Sequence, residues 1–145
     1  MMDTTNPTLY LSQDDLLDLH AYIVTTYGGL LGIASQDRLT TVLNAPRQAM
    51  FGAELYPDLC SKASVLTFLI IKDHPFLSGN DGTALIAMLR FLESNGHTLR
   101  ADIGSAELVW LVRALAHSDM NREGLEAWLR ENVVSTNPPT TLQAE

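Results

Sequence analysis

The segment His74-Pro75-Phe76-Leu77-Ser78-Gly79-Asn80-Asp81-Gly82-Thr83-Ala84 separates two strongly apolar runs. Upstream, Asp58 can cap a helix that continues to about Asp73. Its Leu59, Ala63, Val65, Leu66, Phe68, Leu69, Ile70 and Ile71 are too many for one narrow face. Downstream, a helix is predicted to begin near Asp81 or Gly82 and to carry Ala84, Leu85, Ile86, Ala87, Met88, Leu89, Phe91 and Leu92. Gly96 supplies its stop. Helices that are apolar nearly all round belong in the middle of a bundle, so residues 58–73 and 81–95 are expected as its central pair. A polar, glycine-containing loop held between two such rigid elements is a good platform for a site.

Working outward, Ser12 with Asp15 three positions later reads as a near capping box. It opens a helix that carries Leu16, Leu19, Tyr22 or Ile23, and Tyr27, and stops at Gly28-Gly29. Ser35 opens a shorter helix to Asn44, with Leu39, Val42 and Leu43 inward and Pro46 ending it. Residues 46–57 have no clean period and read as an irregular excursion with room for a short hairpin. Its Phe51 and Tyr56 are candidates either for core packing or for contact with a protein partner. Two more helices are predicted, over Ser105–His117 and from near Arg122 to Asn132. The expectation is an all-α bundle of about six helices with room for a small β-hairpin flap. A single domain spans 10–133, between a loose arm at 1–9 and a loose tail at 134–145.

Composition narrows the functional classes. A chain of 145 residues can bury about two-thirds of the surface it exposes when unfolded, enough for one core. Seventeen acidic against nine basic residues give a formal charge of −8, and no basic cluster stands out. Direct nucleic-acid binding and anionic-membrane binding are therefore not expected. Cys60 is the only cysteine, which excludes intramolecular disulfides and multi-cysteine metal sites. His20, His97 and His117 lack metal-ligand spacing, and no metal site is expected. The absence of a signal-like start and of an 18-residue apolar run leads to the expectation of a cytoplasmic protein.

The segment from His74 to Ala84 resembles the signature of the Fic/Doc superfamily, in the branch of the Doc, or death-on-curing, toxins. Tyr10-Leu11-Ser12, Pro46-Arg47-Gln48-Ala49 with Phe51-Gly52, Leu55-Tyr56-Pro57-Asp58-Leu59, Phe91-Leu92-Glu93-Ser94-Asn95-Gly96 and Ala127-Trp128-Leu129 extend the likeness over roughly residues 10–132. The resemblance implies a general base at His74, taking a proton from the hydroxyl of a target protein. It implies a buried anchor at Phe76, phosphate orientation by Asn80 and an anion hole of backbone amides from Gly79 to Gly82. Read without the family, Asn80 can equally cap the helix that follows. The excursion before Asp58 is similar to a flap that aligns a target segment. Fic members usually transfer AMP from ATP, whereas Doc members phosphorylate elongation factor Tu. ATP and Mg²⁺ are the implied ligands where activity is retained; an antitoxin or a target such as a translation factor is the implied partner.

Three positions depart from the family pattern. An acidic residue that holds Mg²⁺ is replaced by Ser78, and a hydroxyl is a poor ligand for a hard cation. The arginine that clamps phosphate is replaced by Gly82, while Asp81 adds a negative charge beside it. Arg90 lies about 12 Å further along the helix. The cofactor-binding set Ser78, Gly79, Asn80, Asp81 and Gly82 therefore predicts an impaired phosphoryl-transfer site in a protein acting by binding another protein. The alternatives are an active kinase-type toxin modifying a protein hydroxyl and a pseudo-enzyme sensing phosphate or nucleotide.

Overall fold

The structure, a computed structural model, describes residues 7–136. Six helices make the fold: α1 Gln13–Tyr27, α2 Gln36–Asn44, α3 Leu59–Asp73, α4 Asn80–Ser94, α5 Ser105–Ala116 and α6 Arg122–Asn132. Two small antiparallel strand pairs complete it. β1 Ala49–Met50 pairs with β2 Ala53–Glu54, and β3 His97–Leu99 pairs with β4 Val133–Ser135. The architecture is thus the expected all-α bundle with a small hairpin, plus one further strand pair. No helix among the described residues is long and apolar enough to cross a membrane.

The helix ends follow from their capping chemistry. Ser12 Oγ accepts from the Asp15 N–H while the Asp15 carboxylate accepts from the Ser12 N–H, a complete capping box at α1. Asp58 and Ser61 make the same reciprocal pair at α3. Gly28, at φ 91°, ends α1 in a conformation that costs a side chain dearly.

As expected, α3 and α4 lie at the centre. α3 packs against α4 and α6, and α1 packs against α4. Leu16, Leu39, Ile70, Ala84, Met88, Leu92, Leu115, Leu125 and Leu129 are fully buried between them. Of the alternatives Tyr22 or Ile23 on the inward spacing of α1, it is Ile23 that is buried, and Tyr27, placed on the same spacing, is exposed instead. The buried stripe runs through Leu16, Leu19, His20 and Ile23.

Both ends of the domain are tied more closely than the sequence suggested. Leu9 exchanges two hydrogen bonds with the Asn95 side chain, at 2.8 and 2.9 Å. Val134 and Ser135, expected at the start of a loose tail, pair with Thr98 and His97. The rest of the expected arm, residues 1–6, and of the expected tail, residues 137–145, lies outside the described residues.

Candidate functional site

The loop between α3 and α4 is built by a change of handedness at each end. His74 closes α3 in the left-handed conformation (φ 51°, ψ 67°), and Gly79 precedes α4 in the same region (φ 71°, ψ 20°). Left-handed backbone is unfavourable for a residue with a Cβ, so His74 is held there by its surroundings. Those surroundings are the segment 28–35. The Pro75 carbonyl accepts from the Ala34 N–H at 2.8 Å, the Leu77 N–H donates to the Gly32 carbonyl at 3.0 Å, and Ile33 and Phe76 form a β-bridge.

Phe76, 1% exposed, anchors the loop as the resemblance implied. Its ring lies flat on the imidazole of His20, with centroids 3.9 Å apart and planes 8° apart. Asn80 does not cap α4, because the N-cap position is Gly79. The Asn80 side chain turns back instead. Its Oδ1 accepts from the Phe76 N–H and its Nδ2 donates to the Phe76 carbonyl, both at 3.0 Å.

Ser78 is similarly committed. Its Oγ accepts from the Leu30 N–H at 2.7 Å and donates to the Leu30 carbonyl at 3.2 Å. A hydroxyl can do both; a carboxylate can only accept. Magnesium prefers carboxylate oxygens in octahedral array. With the Ser78 hydroxyl used in both directions and Asp81 the one carboxylate lining the loop, these residues do not fit a magnesium site. Among the described residues there is also no group of three or more His, Cys, Asp or Glu side chains placed to hold a metal ion.

His74, Leu77, Ser78, Gly79, Asn80, Asp81 and Gly82 together line an open depression of about 400 Å³. The structure thus brings together the candidate base and the whole candidate phosphate-binding set. No lysine or arginine is among the lining residues, so the positive potential of the α4 N-terminus is the one attraction for an anion there. Gly79 and Gly82 also border a second, apolar groove of about 530 Å³ lined by Tyr22, Ile23, Tyr27, Leu85, Ile86 and Leu89.

The two candidate protein-contact residues lie elsewhere. Phe51 sits at the tip of the β1–β2 hairpin at φ 52° and is completely exposed. Tyr56, half-buried, packs beneath the Arg122 guanidinium at 5.1 Å. Neither lines the motif depression.

Two buried residues were missed by sequence reasoning, one at the motif loop and one beneath the hairpin. His20 was set aside for lack of metal spacing, yet it is 1% exposed and its Nε2 donates to the Ser78 carbonyl at 2.9 Å. Lys62 is 2% exposed inside the first turn of α3. Its Nζ donates to Glu54 Oε1 at 2.5 Å, to the Pro46 carbonyl at 3.4 Å and to the Tyr56 carbonyl. It therefore fixes the hairpin from inside.

Residues 10–92 match the family model described as "Fic/DOC family". The chain is 29% identical over 122 residues to the protein named "Toxin Doc" of Mycolicibacterium smegmatis, a match covering 84% of this chain and 92% of that one. It is 30% identical over 87 residues to "Protein kinase doc" of Escherichia phage P1, covering 60% of this chain and 68% of that one.

Proposed function

The chain belongs to the Fic/Doc family, and from that premise we propose that it is a Doc-like toxin-family protein whose phosphoryl-transfer site is impaired and which acts by binding another protein. The observation that carries this reading is the Ser78 hydroxyl, turned onto both backbone polar groups of Leu30 where a metal-holding carboxylate is expected. Phosphoryl transfer depends chiefly on positioning and on neutralising the transferring group. Here the loop offers His74 as a base and Asp81 as a second negative group, with no cation among its lining residues. Losing one transition-state donor can cost about 10²–10³ in rate. The absence of both the metal carboxylate and the arginine clamp acts on a single transition state.

Protein binding is supported by the hairpin. A fully exposed Phe51 in left-handed backbone is unfavourable both in solvation and in conformation, the latter by roughly 1–2 kcal/mol. Such a residue is better placed against a partner than against water, and aromatic anchors contribute heavily to interfaces. An antitoxin or a translation-factor-like target is the proposed partner. A second reading, in which the loop retains a metal-free hold on phosphate or nucleotide, is favoured by the backbone amides at the α4 N-terminus bordering the depression.

The test is a labelled-ATP transfer assay on elongation factor Tu and on whole-cell extract. Native protein and His74→Ala are expected to be silent, and the triple substitution Ser78→Asp, Asp81→Lys, Gly82→Arg to label. Strong labelling by the native protein that vanishes in His74→Ala overturns the impaired-site reading.

A further inference from the structure

We infer that His20 is a positioning residue for the motif loop: it locks the Ser78–Gly79 peptide so that the Gly79 N–H faces the depression. The inference rests on the reading that the loop holds an anion.

The imidazole sits on α1, 1% exposed, with one face flat on Phe76 and Nε2 at 2.9 Å from the Ser78 carbonyl oxygen. A carbonyl only accepts, so Nε2 carries the hydrogen. No peptide bond among the described residues is cis. In a planar trans peptide the C=O and the N–H point opposite ways. With the Ser78 carbonyl drawn inward to α1, the Gly79 N–H of the same unit turns outward, toward the depression that Gly79 lines.

Something has to select this orientation, because glycine tolerates either sense of the backbone. Rotating the 78–79 peptide by half a turn would strand a buried imidazole N–H, which is strongly disfavoured. The parallel stack on Phe76 keeps the imidazole from turning to follow the carbonyl. Phe76 is itself held at both backbone groups by Asn80, so the brace on one end of the loop is fixed by the other.

The test is NMR on the full chain, with inorganic phosphate as the probe. His20→Phe keeps a flat ring on Phe76 and removes the donor; His20→Gln returns a side-chain N–H at similar reach. His20→Phe is expected to shift the Ser78 carbonyl carbon and the Gly79 amide, and to weaken phosphate-induced shifts at Gly79 about tenfold, the order of one hydrogen bond. His20→Gln is expected to restore both. Unmoved Ser78 and Gly79 resonances in His20→Phe overturn the inference, as does failure of His20→Gln to restore them. If His20→Phe does not fold, the native imidazole spectrum decides: an Nε2–H tautomer supports the lock and an Nδ1–H tautomer overturns it. Absence of any phosphate-induced shift in the native protein sinks the anion-holding reading alone, and the carbonyl and amide shifts still decide the role of His20.

Discussion

The carboxamide of Asn80 is bonded to both backbone polar groups of Phe76, four residues earlier, at 3.0 Å in each direction. The pair closes the motif loop into a ring through a side chain that is 8% exposed. Asparagine alone among residues of its size offers a donor and an acceptor side by side. Asn80→Asp is therefore expected to lose the bond to the Phe76 carbonyl and to set a carboxylate against it, lowering stability by about 2–3 kcal/mol. Urea unfolding checks this. A residue held only for contact with a phosphate would leave the midpoint unchanged.

The bounds of α3 and α6 were legible because local chemistry sets them. Asp58 caps one and Asn121 caps the other, each immediately before an apolar-periodic run. The family motif was legible for the same reason, being contiguous. What escaped is long-range. Nothing local in 97–99 points to 133–135, and nothing in Ser78 points to Leu30, 48 residues away. His20 carried a usable signal, since it follows Leu16 by four and precedes Ile23 by three on the buried stripe. Lys62 carried a misleading one. A lysine in a first helical turn reads as solvated, and only the hairpin folding back over it supplies its acceptors.

That buried lysine gives the second prediction. Lys62→Met removes the charge that Glu54 Oε1 and the Pro46 and Tyr56 carbonyls share. A loss of about 2 kcal/mol is expected, mostly from carbonyls left without a donor. The effect should concentrate in residues 46–56. Chymotryptic cleavage at Phe51 should accelerate well beyond what the global loss explains. Glu54→Gln should cost less than Lys62→Met, because the amide oxygen still accepts from the ammonium and both carbonyls keep their donor.

The third prediction concerns acid. Burial pushes the Asp58 carboxyl up, but the Ser61 N–H and the Arg130 guanidinium together outweigh it and hold the group below its ordinary 3.8. The hydrogen bond from Arg122 holds Glu126 below its ordinary 4.5 against the opposing effect of burial, with Arg130 adding to it. Carboxyls depressed in the folded state contribute stability above their unfolded pKa and lose it as pH falls through the folded one. Melting temperature should therefore fall as pH drops from about 5 to about 3. Arg130→Met, which removes the guanidinium that joins Asp58 to Glu126, should flatten that fall.

The last prediction tests the clasp at the motif loop. Leu30 lies on an exposed turn between Gly28 and Gly32, where an amide would ordinarily exchange freely. The Ser78 hydroxyl both accepts from and donates to its backbone. A Cβ on Gly29 would come within 2.5 Å of that oxygen, at a φ of 124° that L side chains rarely adopt. Ser78→Ala is thus expected to speed hydrogen exchange at the Leu30 amide about tenfold while core amides keep their rates, and to lower stability by about 1 kcal/mol. Gly29→Ala should cost more, because backbone strain adds to the clash. Ser78→Asp should retain the acceptor and lose the donor, leaving the Leu30 carbonyl facing a carboxylate. Unchanged exchange at Leu30 in Ser78→Ala would mean that the hydroxyl does not hold the turn. The case for a site in which Ser78 is committed away from metal would then fall with it.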